Sequence, residues 1–160
     1  MNDRPTDLLF VYGTLRRAAG QPAHRLMAEG AELVGHGFVR GHLYAAGEFP
    51  TLVSDPQGEP VAGEVYRLFA PQAAFVRLDH YEGFDPASPE TSDFRRTPVT
   101  VALDDGRTVA AWAYTWNRLI LDLTPIPHGD YARFLRENSG LAETDRRPAE
   151  NHKSKPNNRK

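Results

Sequence analysis

A glycine-spaced run of alternating apolar residues constrains the fold of this chain more than any other feature. From Ala31 to Tyr44, apolar residues alternate with polar ones, and Gly35, Gly37 and Gly41 fall within the run. Alternation with a period of two is typical of a β-strand, and glycines inside a strand indicate bulges and strong curvature. A closing barrel requires such a strand, so the sequence predicts a strongly curved sheet.

The other patterns predict a strand-rich α+β domain with a few short flanking helices. An Asp-Gly turn at Asp104-Asp105-Gly106 stands between two alternating runs, which is a strong hairpin signal. The elements do not alternate as in a doubly wound fold, so a mixed, barrel-like sheet is favoured. The predicted strands are Leu8–Tyr12, Ala31–Tyr44, Val61–Phe69, Thr97–Leu103 and Arg107–Trp116, and the predicted helices are His24–Glu29, Pro71–Glu82 and Tyr131–Asn138.

Charge divides the chain into a body and a tail. Residues 1–140 carry a formal charge of −5 and residues 141–160 carry +3 within a total of −2. We expect one domain over residues 7–140 and a flexible, polar, basic tail over residues 141–160. An acidic body argues against nucleic-acid binding, because phosphate contacts need clustered Lys and Arg. A small-molecule partner is expected instead, and the oligomeric state is left open.

The amino-acid composition indicates a cell compartment and excludes several kinds of functional site. The chain has no cysteine, which excludes disulfides, thiolate metal sites and a cysteine nucleophile and suits a cytoplasmic protein. Apolar runs are far shorter than the ~20 residues of a membrane span, and the polar start does not resemble a signal peptide. The six histidines lack zinc-ligand spacing, and no nucleophile elbow or nucleotide-binding glycine motif is present. We therefore expect no metal and no cofactor.

Glu82 is the strongest candidate for chemistry. Phe75, Leu78 and Glu82 are spaced i, i+3 and i+7, so they share one face of the predicted helix. The two apolar residues mark that face as buried, and Glu82 lies in the last turn, where the helix dipole disfavours an anion. Both effects predict a raised pKa for this carboxyl, which suits a general acid/base.

Two structural alternatives for Glu82 stay open at this point. The carboxylate could pair with an inward-facing arginine, Arg95 or Arg96, or the helix end could fray into water. Asp79, about one turn earlier, is a second candidate, but it is expected to help solvate the side of the helix.

Two segments are candidates for substrate binding. Tyr12-Gly13-Thr14-Leu15 follows the first strand directly, where a glycine allows backbone N–H groups to converge on an anion. An ordinary strand-ending turn is the alternative. The aromatic loop from Tyr44 through Phe49 and Pro50 could form a pocket wall or cover the core.

In order along the chain, several motifs resemble the gamma-glutamylcyclotransferase-like family, also described as AIG2-like or BtrG-like. The resemblance covers roughly residues 8–138. It rests on Val11-Tyr12-Gly13-Thr14-Leu15, Tyr44-Ala45-Ala46-Gly47-Glu48-Phe49-Pro50, Val61-Ala62-Gly63-Glu64-Val65-Tyr66, Leu78-Asp79-His80-Tyr81-Glu82-Gly83-Phe84, Phe94-Arg95-Arg96, Ala111-Trp112-Ala113-Tyr114 and Ile126-Pro127-His128-Gly129-Asp130-Tyr131.

The resemblance implies a six-stranded barrel-like fold with flanking helices and a pocket at the barrel mouth. It also implies that the Tyr12–Leu15 backbone holds the α-carboxylate of a γ-glutamyl group and that Glu82 transfers a proton. Intramolecular attack of the α-amine on the γ-carbonyl would then release 5-oxoproline. Tyr44, Phe49 and Phe94 complete the predicted substrate site.

The chain departs from the family pattern at one position. Phe94 stands where the family usually has a tyrosine, so a hydroxyl that could contact substrate or Glu82 is missing. Two rival functions therefore stay open: transfer or removal of a γ-glutamyl group in a biosynthetic pathway, and non-catalytic binding of a small molecule. The loop Asp85–Asp93 is expected to be a surface loop, with a lid over the pocket as the alternative.

Overall fold

A computed structural model describes Pro5 and residues 7–13, 15–16, 24–25, 29–46, 49–121 and 123–138. The predicted tail lies outside these residues, as does most of the helix predicted at residues 24–29. The elements are β1 (Leu8–Val11), β2 (Ala31–Ala46), β3 (Phe49–Ser54), β4 (Glu59–Leu68), α1 (Pro71–Glu82), a 3₁₀ helix (Pro89–Thr91), β5 (Phe94–Leu103), β6 (Thr108–Trp116), β7 (Thr124–Pro125) and α2 (Tyr131–Glu137).

Five strands close into a barrel. The sheet runs in the order β3-β2-β4-β1-β6-β5, and β2 also pairs with β5. That last pairing joins Gly37 to Leu103 and Phe38 to Ala102 and completes the ring β2-β4-β1-β6-β5. β3 and the two-residue β7 lie outside the ring on the second half of β2. The prediction of an α+β domain with a barrel-like curved sheet is confirmed.

β2 pairs with β4 on one side and with β5 on the other because it is long and bends. Its pairing with β4 shifts register between Leu33 and Gly35, as a bulge does. At Gly37 the main chain of β5 comes so close that a Cβ would overlap the carbonyl oxygen of Ala102. The glycines of this strand thus mark the bulge and the closing seam of the barrel.

The sheet separates two apolar clusters. Phe10 and Tyr12 belong to the cluster inside the barrel, whereas Leu9 and Val11 belong to the cluster beneath α1. This alternation follows from the period of two along a strand. Because β1 contributes side chains to both clusters, the residues just after it lie where the barrel interior meets α1.

The ends of α1 are set by local chemistry. Pro71 occupies the first turn, where proline costs no hydrogen bond. Gly83 follows Glu82 with φ of 74°, the left-handed conformation that ends many helices. The predicted helix and its glycine end are confirmed. None of the helices in the described part of the chain is long and apolar enough to cross a membrane.

Candidate active site

A cavity lies where the end of β1, the start of β3 and the end of α1 meet β5 and β6. Its walls border about 450 Å³ of space not occupied by atoms, part of which is open to solvent. Its described lining is mostly apolar and aromatic, and Glu82 is the only charged residue in it: Phe10, Val11, Tyr12, Gly13, Leu15, Phe49, Pro50, Tyr81, Glu82, Phe94 and Tyr114.

Glu82 is half-buried at the last position of α1 and faces two buried phenols. Burial raises the pKa of Tyr12 well above its usual value, and the nearby Glu82 carboxylate raises it further. The hydrogen bond from the N–H of Leu52 lowers the pKa but does not outweigh these effects. Burial likewise raises the pKa of Tyr114, with contributions from Asp79 and Glu82. Both phenols are therefore neutral beside the carboxylate at any ordinary pH.

Tyr12 joins three strands at the cavity. Its hydroxyl donates to the carbonyl oxygen of Tyr114 on β6 at 2.5 Å and accepts the N–H of Leu52 on β3 at 3.2 Å. The side chain is 6% exposed. These bonds satisfy a buried hydroxyl and fix the strand end from which the next turn begins.

The turn after β1 packs tightly against β3. The N–H of Arg16 donates to the carbonyl oxygen of Gly13 at 3.0 Å, and a Cβ at Gly13 would lie 2.5 Å from Cγ of Pro50. Arg16 is buried and donates to Asp130 Oδ1 at 3.0 Å, and its Nε lies 3.8 Å from Glu64 Oε2. The turn is thereby fixed on both sides.

The structure brings most of the predicted site residues together. Glu82, Tyr12, Gly13, Leu15, Phe49 and Phe94 all line the cavity. Thr14 lies outside the described residues. Tyr44 is not among the described lining residues. It lies in β2, opposite Thr51 of β3 and Pro125 of β7. The roles assigned to these residues stay predictions.

Phe94 is part of the apolar wall. It is 3% exposed, and its ring meets that of Trp116 edge-on with centroids 5.3 Å apart. Phe94 carries no hydroxyl. Tyr114 also lines the cavity, and its hydroxyl donates to Asp79.

A cluster beside Glu82 was not predicted from the sequence. Asp79 was expected to solvate the helix side, but it is 7% exposed and accepts hydrogen bonds from both neighbouring strands. Arg96 donates through Nε at 2.9 Å and through a terminal nitrogen at 3.2 Å, and the Tyr114 hydroxyl donates at 2.5 Å. Arg96 therefore pairs with Asp79. The position of Arg96 was the signal in the sequence that could have predicted this cluster. Arg96 is two residues after Phe94, so both side chains lie on one face of β5.

The loop Asp85–Asp93 is fastened to the connection after β6. The Ser92 hydroxyl accepts the N–H of Asp85 at 2.9 Å, and Asn117 donates to the carbonyl oxygens of Pro89 and Ser92 at 3.0 and 2.9 Å. These bonds favour the surface-loop interpretation over a lid. No group of three or more His, Asp and Glu within the described ranges is placed to hold a metal ion.

Comparison with known proteins places the chain in a family. The model of the family described as gamma-glutamyl cyclotransferase, AIG2-like, matches residues 9–133. The chain belongs to this family. The match begins in β1 and ends in α2, so it includes every strand of the barrel and the cavity described above.

Family members from other organisms share both sequence and fold. "Putative gamma-glutamylcyclotransferase YkqA" of Bacillus subtilis is 39% identical over 75 residues, which are 46% of this chain and only 26% of YkqA. "Putative gamma-glutamylcyclotransferase MJ1514" of Methanocaldococcus jannaschii is 28% identical over 68% of this chain and 82% of its own length. The crystal structure of an AIG2-like protein from Mus musculus is 31% identical, with a TM-score of 0.61 over 78% of this chain and 87% of the mouse chain.

Proposed function

We propose that this protein cyclises the γ-glutamyl group of a small amine, amide or peptide and releases 5-oxoproline, with Glu82 as general acid/base. The observation that carries the proposal is the sharing of one cavity by Glu82 and the turn after β1. The family name supports the reaction class and a small-molecule substrate.

Substrate binding begins with the α-carboxylate in this proposal. The backbone N–H groups of the segment Tyr12–Leu15 bind it, which sets the α-amine toward Glu82. Positioning is the main requirement of the reaction, because an intramolecular attack gains most of its rate from a fixed geometry. The contact of Gly13 with Pro50 holds the turn in place.

The proton then follows one path. The neutral α-amine attacks the γ-carbonyl carbon, a C–N bond forms, and Glu82 accepts a proton from the attacking nitrogen. The same carboxyl donates that proton to the departing nitrogen as the original γ-carbon–nitrogen bond breaks. The products are 5-oxoproline and a free amine, and the carboxylate is regenerated. No protein nucleophile takes part, in keeping with a chain without cysteine.

The apolar lining of the cavity supports this use of a carboxylate. Phe49 and Phe94 surround the reacting groups with aromatic carbon, and interactions between charges strengthen where water is excluded. Tyr12 and Tyr114 stay neutral, so neither adds a negative charge beside Glu82. We expect the enzyme to act in a reducing cytoplasm.

A substrate panel tests the reaction. The purified protein is incubated with γ-glutamyl amines, amides and dipeptides, and the products are identified by mass spectrometry. We expect 5-oxoproline and the free amine in equal amounts from at least one compound. Glutamate, or a γ-glutamyl group moved to an added acceptor, would instead establish the removal or transfer reaction. No product from any compound, together with thermal stabilisation by them, would indicate a binding protein.

A further inference from the structure

The turn after β1 lies between two openings of the molecule. Gly13 and Leu15 line the cavity that contains Glu82, whereas Arg16 and Asp130 line a separate groove beside α2. Arg16 is not among the described lining residues of the cavity. It can therefore act on the cavity through the main chain of this turn rather than by touching a ligand there.

The side chain of Arg16 is held by residues from two distant elements. Its Nη1 donates to Asp130 Oδ1, at the start of α2, at 3.0 Å, and its Nε lies 3.8 Å from Glu64 Oε2 on β4. Arg16 and Glu64 are both buried, and Glu64 also accepts the hydroxyl of Tyr66 at 2.9 Å. Displacing a buried guanidinium from its carboxylates is costly, because it leaves a buried charge without its partner. The position of Arg16 relative to β4 and α2 is thereby fixed.

The main chain of Arg16 carries this fixed position into the turn. Its N–H donates to the carbonyl oxygen of Gly13 at 3.0 Å, and Gly13 packs against Pro50 on the other side. Between them, the carbonyl oxygen of Leu15 lies 3.0 Å from Nδ1 of His24, within hydrogen-bond distance. The path of the turn therefore depends on where the Arg16 side chain is anchored.

We propose that Arg16 is a positioning residue: its bond to Asp130 holds the backbone N–H groups of residues 12–15 where they bind the α-carboxylate of the substrate. The inference rests on the proposed function for the identity of the ligand, but the hold on the turn can be measured without substrate. A turn that is less well held binds the carboxylate less tightly in the ground state and in the transition state alike. Loss of such uniform binding raises KM more than it lowers kcat.

Steady-state kinetics of Asp130→Asn and Arg16→Gln test the effect on the substrate. Asparagine keeps the shape of Asp130 and can still cap α2, so this variant mainly removes the charged bond to Arg16. We expect KM to rise about tenfold while kcat stays within about threefold. The double variant should raise KM no further than the more severe single variant, because both changes break one contact. Glu137→Gln, at an exposed carboxyl of α2 bonded to Arg133, is the matched control and should keep both values.

A purely structural role for Arg16 predicts a different result. Asp130→Asn would then unfold at a lower temperature, but the folded protein would keep the wild-type KM. Asp130→Asn also serves alone if Arg16→Gln fails to fold.

Amide hydrogen exchange, followed by NMR without substrate, tests the turn itself. The Arg16 N–H, which donates to Gly13, should exchange about tenfold faster in Asp130→Asn than in wild type. This change is measured relative to the Leu103 N–H, which donates to Arg107 in the β5–β6 turn and reports opening elsewhere. An unchanged relative rate for Arg16, or a wild-type KM in folded Asp130→Asn, overturns the inference. Absence of turnover in wild type would instead contradict the proposed function, and the exchange rates would still decide whether Arg16 holds the turn.

Discussion

Single carboxyls in this protein are placed by contacts from distant parts of the chain. Asp130 accepts the N–H of Arg133 at 3.2 Å and thereby caps α2, and it also binds the buried Arg16 beside the cavity turn. Burial raises the pKa of Asp130, but the Arg133 N–H and the Arg16 guanidinium outweigh that effect and hold it below 3.8. One side chain therefore joins the last helix to the turn after β1.

Asp130 makes the free energy of unfolding depend on pH in the acid range. Since its pKa is lowered by folding, its charged form stabilises the native state above pH 3.8, and this contribution is lost as the pH falls through the lower folded value. We expect Asp130→Asn to lower the free energy of unfolding by about 1–2 kcal/mol at pH 6. The difference from wild type should shrink as the pH falls below 3.8.

Urea unfolding at several pH values measures this difference. Asp104→Asn, at an exposed carboxyl of the β5–β6 turn, is the matched control and should have little effect. A constant gap between wild type and Asp130→Asn from pH 6 to pH 2.5 would exclude the proposed linkage.

Some features of the elements around the site can be predicted from the sequence, and others cannot. The spacing of Phe75, Leu78 and Glu82 predicted the helix and the side on which Glu82 lies, because these depend on period alone. The pairing of Asp79 with Arg96 could not be obtained in this way. It joins residues 17 apart that meet only after α1 packs on the sheet, and Tyr114 is 35 residues from Asp79.

The end of α1 is predicted to matter for both stability and chemistry. Gly83 has φ of 74°, where a Cβ costs about 1–2 kcal/mol, so Gly83→Ala should destabilise by that amount. Because Glu82 immediately precedes it, we also expect kcat to fall about 10- to 100-fold, as small misplacements cost rate steeply.

Gly106→Ala is the matched control for this change. Gly106 has φ of 94° in the β5–β6 turn, and a Cβ added there would meet no atom within 4 Å. It should lose similar stability and keep its turnover. Equal turnover of the two variants would show that the end of α1 does not position Glu82.

At the scale of the molecule, one seam closes the barrel. The sequence predicted the curvature of β2 from its glycines, but the partner at the seam, β5, is known only from the fold. A strand pattern indicates that a sheet bends and does not indicate which edges meet. The position of the cavity depends on this closure, because three strands of the closed ring, β1, β5 and β6, form part of its walls.

The seam is predicted to tolerate alanine at one glycine and not at the next. Gly37→Ala would overlap the carbonyl oxygen of Ala102, so it should destabilise by about 1–3 kcal/mol. At Gly35 the nearest atom to an added Cβ is Leu103 Cδ2 at 3.6 Å, an ordinary contact, so Gly35→Ala should be neutral or slightly stabilising. Thermal unfolding of both variants decides the matter, and equal losses would contradict this assignment of the seam.

Turnover by Glu82→Gln tests the central claim most directly. The substitution keeps the shape of the side chain and removes its ability to carry a proton, so kcat for 5-oxoproline release should fall about 10²- to 10⁴-fold. Glu90→Gln, the same change on the exposed 3₁₀ helix, should retain wild-type turnover. Full activity in a folded Glu82→Gln protein would contradict the account, because the proton would then travel through another group.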